Sequence, residues 1–474
     1  MKAPALCSPL LKGLVPAVLC VCVGGCTRGD SVAPPQVAPK ATLSSSETTG
    51  FTPAGPQSFT PETRSKGAGR TVRRLWSSTI GRTDHRTTLV FADGAIYVGA
   101  KSGKGVEAGV YVVDGNTGAR RAVLPAAKGD VVGIALDGAR VVSSGSSGEV
   151  AVTTKTGQIV FRTQIGAPIV TPPTLLDLDR DGAAEIAVGD ARGRVTLLDG
   201  KSGKIRWVRA TAPEAREGAK GAASIGAALS AADLDGDGDK EIVAGNEAGS
   251  LTAIRAKSGE IAWQVTRPSA LRAAPLVSDV DDDRQLEVIA GWADGDVAIF
   301  DGRAGKQVWT ARVEEDDGDP TGLLASPTPL PGGSLLVPTA RWGDQDSVVV
   351  LRAKERAYRS KQGAVVSSPV LGIIARDTSM VEAVLGTSTG DVVSFDAAGG
   401  MALLQHVDGA IEASPLIADI QGNGLQELVV VTREGELTAL GIHAHRPPLV
   451  SRGRGSSPWN DGVLPPIDLG WKLP

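Results

Sequence analysis

From Val72 onward one unit recurs at intervals near 46 residues, and this repeat constrains the fold more than any other feature. Each unit holds an apolar run that opens on Glu, such as Glu185–Gly189, Glu241–Gly245, Glu287–Gly291, Glu382–Gly386 and Glu427–Val431. A Gly-rich turn and a second apolar run follow. A tight turn ending in Gly comes next (Gly118, Gly203, Gly259, Gly305), and then a run marked by a large residue. The marked positions are Trp76, Arg121, Phe161, Trp207, Trp263, Trp309, Tyr358 and Leu404. Short apolar runs bounded by Gly and Asp are strands, and a four-strand unit at this period is a propeller blade. The expected fold is therefore all-β, an eight-bladed β-propeller of four-stranded antiparallel sheets over residues 71–445, with seven blades as the alternative count. The last unit lacks a fourth strand, and the segment around Trp76 supplies one. That closure joins the two ends of the ring and removes a sheet edge.

In three units the first two strands are joined by a nine-residue acidic loop, Asp-x-Asp-x-Asp-Gly-x-x-Glu. The copies are Asp177, Asp179, Asp181 and Glu185; Asp233, Asp235, Asp237 and Glu241; and Asp279, Asp281, Asp283 and Glu287. A fourth, less charged copy carries Asp419, Asn423 and Glu427. Alternating carboxylates in a tight loop turn oxygens inward, and hard oxygen donors without His or Cys suit calcium. The loop is not an EF-hand, because position twelve is Val188 or Ala244. In the third copy Arg284 stands where Gly182 and Gly238 permit the bend, which puts its geometry in question. The expected role of the metal is structural: three packed carboxylates repel one another until a cation joins them.

Placed between two strands, these loops resemble the calcium loops of FG-GAP and VCBS-like repeats. The segment Leu198 to Trp207 and its counterpart Ile254 to Trp263 resemble the repeats of PQQ-type quinoproteins, where the Trp packs between blades. The same repeat occurs in BamB-like lipoproteins, which the resemblance describes as eight-bladed, cofactor-free and engaged in outer-membrane protein assembly. Calcium loops depart from that family. No PQQ is expected, since the vicinal disulfide of the quinoproteins needs cysteines that the repeat region lacks.

All four cysteines, Cys7, Cys20, Cys22 and Cys26, lie at the N-terminus, so the body has no disulfide, thiolate metal site or Cys nucleophile. Residues 1–25 read as an export signal: Lys2 and Lys12 accompany an apolar stretch too short to span a bilayer. Its end, Val23-Gly24-Gly25-Cys26, resembles a lipobox, which makes Cys26 the lipidation site and the membrane contact. Residues 26–70, rich in Ser, Thr, Pro and Gly, read as a disordered tether, and residues 446–474 as a C-terminal strap or tail.

A formal net charge of -4 offers no footprint for nucleic acid. No nucleophile–base pair or phosphate-binding glycine loop stands out, so a non-enzymatic reading leads. It is a calcium-stabilised lipoprotein, exported and lipid-anchored to the outer membrane, that serves as a protein-binding scaffold at the cell envelope in outer-membrane assembly. Surface adhesion or glycan binding is the alternative, and a quinone-dependent dehydrogenase a remote one. Trp292 and Trp342, each after a second strand in neighbouring units and close to the acidic run Glu314–Asp319, form the candidate partner surface. Aromatics at 4% of the chain argue against a lectin with many stacking platforms.

Overall fold

The computed structural model describes residues 72–103, 105–212, 224–313, 322–340, 347–352, 355–360, 363–374, 380–444, 461 and 463–464. The expected signal segment, tether and Cys26 lie outside them, as do Trp342 and the acidic run 314–319. All described residues belong to one unit, Ala54–Pro474.

Eight four-stranded antiparallel sheets form an eight-bladed propeller. Blade one is built from Leu89–Ala92, Ala95–Ala100, Gly109–Asp114 and Arg120–Leu124. Blade three is Thr174–Leu176, Glu185–Gly189, Arg194–Leu198 and Ile205–Ala210. Blade four is Ser230–Ala232, Glu241–Gly245, Ser250–Arg255 and Ile261–Thr266, and blade five is Leu276–Ser278, Glu287–Gly291, Asp296–Asp301 and Gln307–Arg312. In blade eight, Leu416–Ala418, Gln426–Val431 and Glu436–Ala444 are completed by the N-terminal strand Arg73–Thr79, which pairs Trp76 with Ala439. The ring therefore closes as the sequence suggests, with chain start and chain end sharing one sheet.

Burial follows position within the blade. The second strands of blades three, four and five are buried along their whole length, as expected for strands covered on both faces. The fourth strand of blade three, at the rim, alternates between exposed and partly buried, and those of blades four and five bury only Trp263 and Trp309. Apolar clusters fill the space between blades: Ala187 and Leu197 of blade three meet Ile242 and Ile254 of blade four, and Val98 and Tyr111 of blade one meet Val429 and Ala439 of blade eight.

Large residues on the fourth strands lock one blade to the next. The indole N–H groups of Trp76, Trp207 and Trp263 donate to Gly115 O, Ala256 O and Gly302 O at 2.9, 2.8 and 2.7 Å, each in the following blade. Each ring lies over a hairpin glycine of that blade. A Cβ on Gly118 or Gly305 would stand 2.6 Å from the Trp76 or Trp263 ring, and one on Gly259 would stand 2.8 Å from Trp207. Phe161 covers Gly203 in the same way. Glycine is required here twice, for the close approach and for the left-handed backbone (φ +65° at Gly305).

Three described residues of the C-terminal segment lie against innermost strands. Asp461 O accepts from Ala231 N–H at 2.8 Å in blade four, and Leu464 N–H donates to Val277 O at 2.8 Å in blade five. Val463 forms a parallel bridge with Val277, and Leu464 is buried in a core cluster with Leu276 of blade five, Leu336 and Leu371.

Candidate metal centres

Each acidic loop links the innermost strand of its blade to the second. Glu at position nine is the first residue of the second strand, or the second residue in blade eight, so the sheet itself fixes it: Glu185 pairs with Leu176, Glu241 with Ala232, Glu287 with Ser278 and Glu427 with Ala418. All four glutamates are buried. Their carboxylates accept the backbone N–H of position two, from Leu178, Leu234, Val280 and Ile420, at 2.9, 3.0, 2.9 and 2.9 Å. The first Asp then folds the loop over it. Asp233 accepts from Gly236 N and Gly238 N at 2.8 and 3.0 Å, Asp279 from Asp283 N and Arg284 N at 3.1 Å each, and Asp419 from Asn423 N and Gly424 N at 3.0 and 2.8 Å.

Carboxylate oxygens consequently converge. Asp177, Asp179 and Glu185 lie with ligand atoms within 4.8 Å of one another, and so do Asp233, Asp235 and Glu241, and Asp279, Asp281 and Glu287. Position five (Asp181, Asp237, Asp283) stands outside these tight groups and instead accepts the N–H two residues on. Arg284 takes the same left-handed backbone as its glycine counterparts, φ +73° against +83°, +93° and +79° at Gly182, Gly238 and Gly424. The third loop thus keeps its shape, at a backbone cost of about 1–2 kcal/mol.

Burial and like charge raise the glutamates. Burial, then the three aspartates, pushes Glu241 up to about 7 and Glu287 up to about 8. Glu427 rises to about 7 through burial and Asp419. Glu185 is also raised by burial, but Arg206 pulls it back. Asp281 is raised by burial and by Asp283, and its Oδ1 is buried without a hydrogen-bond partner. A divalent cation among these oxygens would relieve both the desolvation and the repulsion, so the donor sets of blades four and five fit calcium. The blade-eight loop, with Gln421 and Asn423 in place of two aspartates, offers the same shape with less charge.

Sequence reasoning missed Arg206. This residue sits at the β-bulge just before Trp207, between the pairs Leu197↔Trp207 and Leu198↔Ile205. It reaches the blade-three loop at Asp179 and Glu185.

One residue of the expected partner surface, Trp292, needs correction. Trp292 is fully buried: its indole N–H donates to Gly249 O at 3.1 Å, the Arg267 guanidinium lies 4.2 Å from its ring centroid, and Phe300 meets it edge-on at 6.0 Å. It plugs the junction of blades four and five and presents no face for a partner. On the mouth of the central channel, opposite the acidic loops, a cavity of about 40 Å³ is lined by connections that include Arg86, Pro172, Ala228, Arg272 and Ser368.

The comparisons agree with this architecture. A family model described as outer membrane protein assembly factor BamB (PQQ_2) matches residues 68–226 and 106–291. Among curated proteins none matches the chain. Among solved structures, quinohemoprotein alcohol dehydrogenase from Comamonas testosteroni is similar at a TM-score of 0.57 and 15% identity, covering 81% of this chain and 78% of that one. The computationally designed Ika8 protein gives 0.53 and 18%, with 78% and 99% covered. BamB from Moraxella catarrhalis gives 0.39 and 18%, with 65% and 93% covered. The chain is an eight-bladed β-propeller with PQQ-like repeats over residues 68–291, a fold it shares at low identity with quinohemoprotein alcohol dehydrogenase.

Proposed function

We propose that this protein is a non-enzymatic propeller that binds protein partners at the cell envelope, in the setting of outer-membrane protein assembly, and that calcium stiffens its ring. The family-model match over residues 68–291, which ends at the second strand of blade five, carries the scaffold reading. Export and lipid attachment through Cys26 complete it, on the strength of the lipobox-like Val23-Gly24-Gly25-Cys26. In blade four, Asp233, Asp235, Asp237 and Glu241 would hold the ion, and in blade five Asp279, Asp281, Asp283 and Glu287, with Asp419, Asn423 and Glu427 a weaker set. The ion would supply charge neutralisation that ties the first and second strands of each blade together.

The quinone reading has less support from donor chemistry. The repeat region has no cysteine for the vicinal disulfide of the quinoproteins. Trp292 is buried, which removes it from the contact surface for a glycan and for a protein partner alike. The test is affinity capture with the full chain immobilised and detergent-solubilised outer membranes applied. Recovery of outer-membrane β-barrel assembly components supports the scaffold. Quinone-dependent dye reduction by the purified chain would refute it.

A further inference from the structure

Blade three has the full acidic loop, yet a cation from the chain already stands in it. One guanidinium nitrogen of Arg206, Nη2, lies 2.7 Å from Asp179 Oδ2, 2.6 Å from Glu185 Oε1 and 2.9 Å from Asp199 Oδ2. Asp179 and Glu185 belong to the converging group of that loop. The β-bulge at Arg206 recurs in every blade with an acidic loop, so the equivalent residues can be read from the register. Blade four leaves Ala262 between Ala253↔Trp263 and Ile254↔Ile261, and blade five leaves Val308 between Ile299↔Trp309 and Phe300↔Gln307. Blade eight leaves Leu75 between Arg74↔Leu440 and Trp76↔Ala439. None of these three can donate a hydrogen bond from its side chain or carry charge.

We infer that Arg206 is a built-in counter-ion that keeps calcium out of the blade-three loop, so that blades four and five are the strong metal centres. A guanidinium keeps its charge at any pH the fold meets, and its fork of N–H donors matches carboxylates. Calcium could enter only by breaking the contacts to Asp179 and Glu185 and leaving the displaced positive charge beside it. Blade three is therefore stiffened permanently, while blades four and five are stiffened only when metal is present. Four similar loops thus divide into one fixed and several conditional joints. This inference rests on the calcium reading above.

Calcium titration calorimetry on the full chain decides it, using wild type, Arg206→Gln and the reciprocal Ala262→Arg, each checked for native circular dichroism. Arg206→Gln is expected to bind one calcium more than wild type, and Ala262→Arg one fewer. Should Arg206→Gln not fold, loss of one ion in Ala262→Arg still supports the inference, and an unchanged count in that variant overturns it. Wild type that binds calcium while Arg206→Gln gains none overturns the inference alone. No binding by either protein overturns the calcium reading and the inference with it.

Discussion

Replacing Gly305 by Ala tests whether docking of the fourth-strand tryptophans holds the blades together. The new methyl would stand 2.6 Å from the Trp263 ring on a backbone with φ +65°. The left-handed backbone costs about 1 kcal/mol. The ring must also move, which loses its 2.7 Å bond to Gly302 O and re-exposes apolar surface, for roughly 2–4 kcal/mol more. Gly138→Ala is the control: its φ is +55° and no atom lies within 4 Å of the added methyl, so only the backbone cost applies. Unfolding entropy for a ring of this size is on the order of 0.8 kcal/mol per K. Gly305→Ala should therefore melt about 3–5 K below Gly138→Ala, followed by far-ultraviolet circular dichroism. Equal melting temperatures for the two variants would refute the docking argument.

Further outcomes follow from the same geometry. In calcium-free buffer Glu241 and Glu287 titrate at about 7 and about 8, above the usual 4.5, so the folded chain holds more protons than the unfolded one between those values. Their contribution to stability therefore falls as pH rises through that window, by about 3–5 kcal/mol per site. Glu287→Gln should flatten part of this slope in melts run in EGTA. Calcium needs the ionised carboxylates, so its affinity should rise with pH over the same range in a direct titration. Arg284→Gly should raise stability in urea titrations by about 1 kcal/mol through relief of its left-handed backbone. Leu464→Ala should cost about 2–4 kcal/mol in the same assay, since the side chain is buried between blades. Trp292→Ala should cost about 3–5 kcal/mol and leave any glycan-array signal unchanged.

Strand positions were legible because the repeat marks both ends of each run. The reading Glu241–Gly245 matches the strand residue for residue, since the loop Glu must enter the sheet and the terminal Gly must pass close to Leu271. Ring closure was legible because one unit lacked a strand and a spare Trp preceded the first. The partner surface was not. Gly291-Trp292-Ala293-Asp294-Gly295 reads locally as an exposed turn, and nothing nearby in sequence shows that Gly249, Arg267 and Phe300 form a pocket for the indole. Arg206 was missed for a related reason. Arg206 lies at a one-residue bulge just before Trp207, and its partner Asp179 is 27 residues away in sequence, so nothing local marks the pair. The signal was available in the comparison of Arg206 with Ala262 and Val308 across aligned units.

The most direct test of the account is the melting temperature of the full chain as calcium replaces EGTA, with Asp235→Ala and Asp281→Ala alongside. Occupied at a hundredfold excess over its dissociation constant, each site adds about 2.7 kcal/mol, so two sites should raise the wild-type midpoint by roughly 6–7 K. Each variant should lose about half of that rise, and the two together nearly all of it. A wild-type midpoint that stays fixed up to millimolar calcium would contradict the claim that the acidic loops are metal-held joints of the ring.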